Sequence, residues 1–222
     1  MSHFSLSRFA LIVLGIVPAG STKESSSRVR PLPAAEWSPE VRRALGGTHD
    51  SVAALEGGEP STNPKTLNIL STIAHHPKLL VPFLGFATVL GQDGALSRRD
   101  SEILALRTSW NCQSEFEWGH HAQYGRAAGL SEAEIEVITQ GPDAAGWSRE
   151  DRALLRAADQ LHTGQQIRDD VWQQLADRFS ETQLVEIPFV VGQYTMLSMV
   201  ANSTGVELEA GYDRFPVKQQ SL

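Results

Sequence analysis

Ser114-Glu115-Phe116-Glu117-Trp118-Gly119-His120-His121 sets two carboxylates, an indole and two adjacent histidines within eight residues. Just upstream, residues 99–109 carry Ile103, Leu104 and Leu106, with Trp110 beyond them. Both stretches read as helices. On a helix, Glu117 and His121 lie one turn apart on a single face, within reach of each other. Glu115 and His120 point elsewhere. His120 is turned about 100° from His121 and is expected to face solvent or a subunit contact. The apolar residues of the upstream helix would bury it and carry Glu102 inward. A buried carboxylate beside a Glu/His pair suits the movement of protons. The plainer reading of Glu117 and His121 is a surface ion pair of a few tenths of a kcal/mol. Trp118 argues against it, because a charged helix face seldom spends an indole on solvent.

The rest of the chain reads as further helices. Ser38-Pro39 opens a short one over 40–45, since Ser can cap and Pro suits the first helical position. Leu67, Leu70, Ile73 and Ala74 recur at helical spacing until Pro77. Pro77 opens a helix through Leu90, ended by Gly91 and Gly94, with Pro82 either tolerated or shifting its start. Ser97-x-x-Asp100 resembles a capping box with Asp in place of Glu or Gln, and Ser131-x-x-Glu134 is a complete one. Gly129 marks the end of the site helix. Gly141-Pro142-Asp143 is a turn. Helices are expected over 149–162 and 169–179, and Ser180-x-x-Gln183 opens a long last helix to about Ser203. No strand alternation of any length appears, so the expected class is all-α. Ser97…Glu102-Ile103 and Ser180…Glu186-Ile187 echo each other faintly, as two related helical halves would.

A chain of 222 residues fits one domain. The expected organisation is an N-terminal extension or signal-like segment with a Ser-rich linker over 1–30, a helical domain over 31–210, and a tail over 211–222. A net charge of −7 without a basic stripe argues against nucleic acid as a partner. One cysteine, Cys112, excludes an intrachain disulfide and dithiol redox chemistry. It reads as a small buried apolar residue. Arg8, the apolar run of residues 9–17 and small residues to Ala19 follow the order of a secretory signal. That run is too short to span a bilayer, so no membrane partner is expected. The lone cysteine suits the cytoplasm, with secretion through residues 1–19 the alternative.

Glu102-Ile-Leu-Ala-Leu-Arg107 followed by Ser114-x-x-Glu117-x-x-x-His121 resembles the carboxymuconolactone decarboxylase family, within the alkylhydroperoxidase D-like superfamily. Redox members of that superfamily carry Cys-x-x-Cys-x-x-x-His with a Glu twelve residues before the first Cys. Ser114 and Glu117 stand at the two Cys positions, His121 at the His position, and Glu102 at the upstream Glu. The resemblance implies an all-α, alkylhydroperoxidase D-like helical bundle. It also implies a homo-oligomer, as a dimer, trimer or hexamer. The implied activity is a decarboxylase-like proton transfer on a small lactone or carboxylated metabolite. In that reading His121 is the general acid or base, Glu117 orients it or carries the proton itself, and Glu102 balances charge behind them. Ser114 and Trp118 would offer donors to the substrate, His120 would support, and Tyr194 on the last helix could line the pocket. Serine cannot replace cysteine as an electron carrier, so peroxide reduction is disfavoured. No cofactor is implied. A metal is not expected, because only Glu117 and His121 share a face. The competing reading is a non-catalytic binding or assembly protein, in which Glu102, Glu117 and His121 would be splayed or solvated.

Overall fold

The computed structural model describes residues 27–46, 48 and 67–216. Among these residues all regular structure is helical. The α-helices are α1 (Pro39–Gly46), α2 (Asn68–Ile73), α3 (Pro77–Gln92), α4 (Arg98–Asn111) and α5 (Glu115–Ala127). They continue as α6 (Glu132–Ile138), α7 (Arg149–Gly164), α8 (Asp169–Ala176) and α9 (Glu181–Thr204), with one 3₁₀ turn at Ala34–Glu36. The all-α expectation holds among the described residues. The signal-like run of residues 1–19 lies outside the described residues.

Four serines set the starts of α4, α6, α7 and α9. Ser97, Ser131, Ser148 and Ser180 each accept the backbone N–H three residues on, pairing a donor that has no partner within the helix. Glu134 and Gln183 reach back to complete capping boxes. Asp100 is one methylene shorter and does not; it accepts from the Ser97 hydroxyl at 2.7 Å, and its two oxygens share one guanidinium nitrogen of Arg178. Helix α3 tolerates Pro82, one of the two expected outcomes, and parts from expectation only at its end, running past Gly91 to Gln92. The proline's missing N–H would have met the carbonyl of Lys78, an exposed residue that solvent can serve.

Helix α4 is the axis of the bundle. It packs against α5, α7 and α9, so Ile103, Leu104, Ala105 and Leu106 are all fully buried although they point in successive directions. Each such leucine or isoleucine contributes roughly 1.5–3 kcal/mol by leaving water. Burial on every side also takes in polar residues, Glu102 and Thr108 among them.

The expected tail begins differently. Residues 206–216 form a strap across α5, with Leu208 buried and Phe215 packed edge-on to Trp110 at 5.3 Å. Gly119 makes the crossing possible. A Cβ there would collide with the Leu208 side chain and the Asp213 carbonyl. Residues 217–222 lie outside the described set. At the other end, the backbone N–H groups of Arg28 and Val29 donate to the Thr204 carbonyl, tying the segment just before residue 31 onto α9.

Candidate active site

The site is made where α4 and α5 lie side by side. Gln113 takes a left-handed backbone, φ 52°, to turn the chain between them. Ser114 then starts α5 without capping it; its hydroxyl is buried and has no partner among the described residues. One turn later Glu117 projects inward, and a second turn brings His121 over Glu102.

His121 Nδ1 lies 2.6 Å from Glu102 Oε2, and both side chains are buried. The other oxygen of Glu102 accepts from Arg98 at 2.5 Å, and Arg98 also donates to the Gly91 carbonyl at 3.0 Å. Glu102 therefore touches His121 directly, behind the ring and away from Glu117, where it can relay or balance charge. A carboxylate on Nδ1 fixes the imidazole so that Nε2 faces the other way. There it meets Glu117 Oε2 at 3.7 Å. The second oxygen of Glu117 has no hydrogen-bond partner among the described residues. Burial pushes the Glu117 carboxyl up to about 7; attraction to His120 opposes this and the Glu209 charge adds to it.

His120 is not on the solvent side. It is 2 % exposed, with Nε2 2.8 Å from Glu209 Oε2 on the strap, and its ring lies against Phe116 and Tyr212 at 4.8 and 4.0 Å. Helix geometry does turn His120 away from His121, but α5 is covered on both faces, by α4 on one and the strap on the other. Glu209 also accepts the Asn68 N–H at the start of α2, at 2.6 Å. Burial alone would raise its carboxyl; the His120 hydrogen bond and charge, with backbone N–H groups, outweigh that and hold it below the usual range. His120 Nδ1 is buried without a partner among the described residues.

A cavity of about 340 Å³ opens onto this cluster. Its walls include Leu70, Phe83, Leu84 and Leu197, and its polar end carries Glu117, His120, His121, Gln193 and Tyr194. Tyr194 sets its ring edge-on to His121 at 4.2 Å. Burial, then the charges of Glu102 and Glu117, push its phenol well above the ordinary range, so it stays a protonated donor. Ser114 and Trp118 are not among the lining residues. Trp118 sits a quarter-turn from Glu117 in the core, against Trp110 and Phe215 at 5.9 and 5.7 Å. The geometry thus gathers Glu102, Glu117, His120, His121 and Tyr194, and leaves Ser114 and Trp118 outside the cavity.

Two further participants were not singled out from the sequence. Arg98 stands four residues before Glu102, a spacing that could have been read as an ion pair. Glu209 follows the last helix in no pattern at all, and is 89 residues from the histidine it holds. Cys112, expected to be simply buried, is half-buried, with Sγ 3.7 Å from His162 Nδ1. Burial raises its thiol, the less reactive direction. Among the described residues no three His, Cys, Asp or Glu side chains are grouped to hold a metal ion.

Comparison with known proteins adds a family-model match over part of the chain, and a fold. The sequence model of the carboxymuconolactone decarboxylase family matches residues 77–160, the segment that carries Glu102, Glu117 and His121. No curated protein matches the sequence. Among solved structures, an uncharacterized peroxidase-related protein from Silicibacter sp. TM1040 is similar with a TM-score of 0.68 at 20% identity, covering 87% of this chain and 97% of that one. The debrominase Bmp8 in complex with 2,3,4-tribromopyrrole gives 0.66 at 16% identity, over 82% of this chain and 91% of its own. An alkylhydroperoxidase AhpD core protein from Ralstonia eutropha JMP134 gives 0.64 at 16%, over 82% and 93%. At such identities the likeness is one of fold.

Proposed function

With residues 77–160 matching the model of the carboxymuconolactone decarboxylase family, we propose that the protein is an enzyme of acid/base chemistry. It would move a proton to or from a carbon atom of a small lactone or carboxylated metabolite, decarboxylation being one outcome. The observation that carries this reading is the Glu102–His121–Glu117 line. His121 is held on Glu102 at one nitrogen and turned toward Glu117 at the other, and Glu117 keeps one oxygen unbonded at the end of a cavity. A carboxyl raised to about 7 can give or take a proton near neutral pH. Tyr194, kept protonated and lining the cavity, would offer a donor to an oxygen that gains negative charge. Three buried side chains that converge favour catalysis over the binding or assembly reading, which asked for them to be splayed. Serine at position 114 and glutamate at 117 leave no dithiol, which weighs against peroxide reduction.

The test is isotope exchange and carbon dioxide release from a panel of lactones and β-keto acids in deuterated water. Wild type is expected to exchange or decarboxylate at least one of them. Glu117→Gln and His121→Gln should each lower that rate by roughly 10²–10⁴-fold. A silent panel, or a rate untouched by both substitutions, would sink the proposal.

The reading includes self-association. Val185, Phe189, Met196 and Met199 are exposed at helical spacing along α9, a wider apolar face than single surface residues produce. A second copy of the chain would cover it.

A further inference from the structure

We propose that Arg98 is the carboxylate anchor of the cavity: its Nε–H holds a carboxylate that the substrate keeps, while Glu117 and His121 move a proton at another carbon. The inference rests on the acid/base reading of the same site and narrows its substrate to a small acid with an apolar body.

Arg98 is the first residue of α4, and it lines the cavity. Nη1 donates to the Gly91 carbonyl at 3.0 Å and Nη2 to Glu102 Oε1 at 2.5 Å. These contacts hold the guanidinium in place without using up its N–H donors. No described group accepts from Nε, and that nitrogen is not among the buried unpaired atoms. It therefore keeps surface that a ligand can reach. The Arg98 side chain is 36 % exposed, against 1 % for Glu102 and 5 % for Glu117 and His121. Arginine stays charged at any working pH, and its N–H groups match a carboxylate. The two histidines of the cavity are placed differently. Each is nearly enclosed and has a carboxylate on one nitrogen, Glu102 for His121 and Glu209 for His120. Among the described lining residues, Arg98 is the cation with a donor open to an incoming anion.

The place of Arg98 in the site says which carboxylate it would hold. Glu102 gives one oxygen to Arg98 and the other to His121, whose second nitrogen faces Glu117. Arg98 and Glu117 are thus the two ends of one connected row, with Glu102 and His121 between them. A carboxylate on Arg98 is a handle, held apart from the group that moves the proton. Glu102 offsets part of the Arg98 charge, but it is shared with the imidazole. A charge-assisted hydrogen bond from Nε gains strength where apolar walls exclude water. Leu70, Phe83, Leu84 and Leu197 supply such walls. They suit a ring or short chain that carries both the acid group and the reacting carbon.

Benzoate and benzamide test this as a pair of nearly equal shape, one an anion and the other neutral. Binding of each to the full-length protein would be followed by NMR near pH 6, reading the assigned Nε–H signal of Arg98. Benzoate is expected to bind at least ten-fold more tightly and to move that signal, which benzamide leaves in place. Arg98→Met should lose ten-fold or more of the benzoate affinity and keep that for benzamide. Arg98→Lys, which retains the charge, should recover part of the loss. An arginine with a merely structural role would weaken both ligands alike. Benzoate failing to bind, binding no more tightly than benzamide, or leaving the Nε–H signal in place would overturn the proposal. These wild-type readings decide the matter even if Arg98→Met does not fold. The isotope-exchange panel decides the acid/base reading separately. Benzoate held on Arg98 with a silent panel would refute the proton chemistry and leave the anchor standing. Exchange that depends on Glu117, with a preference for benzamide, would do the reverse.

Discussion

Glu117 is the residue at which folding and chemistry pull in opposite directions. An ordinary glutamate would be ionised at neutral pH, but this one is enclosed, with one oxygen unbonded and its nearest partner a histidine already committed to Glu102. Its carboxyl rises from 4.5 to about 7. Between those two values the folded protein binds more protons than the unfolded chain, so stability falls as pH rises through that window and stays lower above it. Glu117→Gln removes the charged form. It is expected to unfold like wild type near pH 4 and to be more stable above pH 7 by on the order of 2–3 kcal/mol. Urea unfolding at the two pH values checks this. A substitution that destabilises equally at both would mean that Glu117 is ionised and paired throughout.

Helix α5 and its strap show how an element is placed by residues far away in sequence. Gly119 is the contact, where a methyl group would push on Leu208 and the Asp213 backbone. Gly119→Ala is expected to destabilise by roughly 1–3 kcal/mol and, more tellingly, to weaken the grip of Glu209 on His120. The His120 ring signals should then change while those of His121, held from α4, stay. The helices themselves were largely legible, because Ser97, Ser131, Ser148 and Ser180 announce their starts in local sequence and Glu102, Glu117 and His121 keep a readable spacing. His120 was misplaced because helical angle tells direction and not what covers that direction. Glu209 and the strap were invisible for a related reason. Their partners lie on α2 and α5, and residues 206–216 carry no periodicity to suggest burial.

At the scale of the molecule, arginine bridges join the core helix to its neighbours. Arg99 on α4 meets Asp151 on α7 and Glu134 on α6, Arg107 on α4 takes Asp159 on α7, and Asp100 on α4 takes Arg178 beyond α8. Helix α9 is long and apolar enough to cross a membrane by composition, yet one side of it is packed on α4 and the other presents Val185, Phe189, Met196 and Met199. If a second copy covers that side, Phe189→Glu with Met199→Glu should lower the mass measured by light scattering to that of one chain without lowering the melting temperature. A wild-type protein already of single-chain mass would refute the assembly.

The central claim is that Glu117 and His121 share a proton-handling site. Carbon-13 NMR of the Glu117 carboxyl, followed across pH in wild type and in His121→Gln, addresses it most directly. The account predicts a midpoint near 7 in wild type that moves when His121, whose Nε2 lies 3.7 Å from the carboxylate, is replaced. A midpoint near the ordinary 4.5, indifferent to His121, would contradict it.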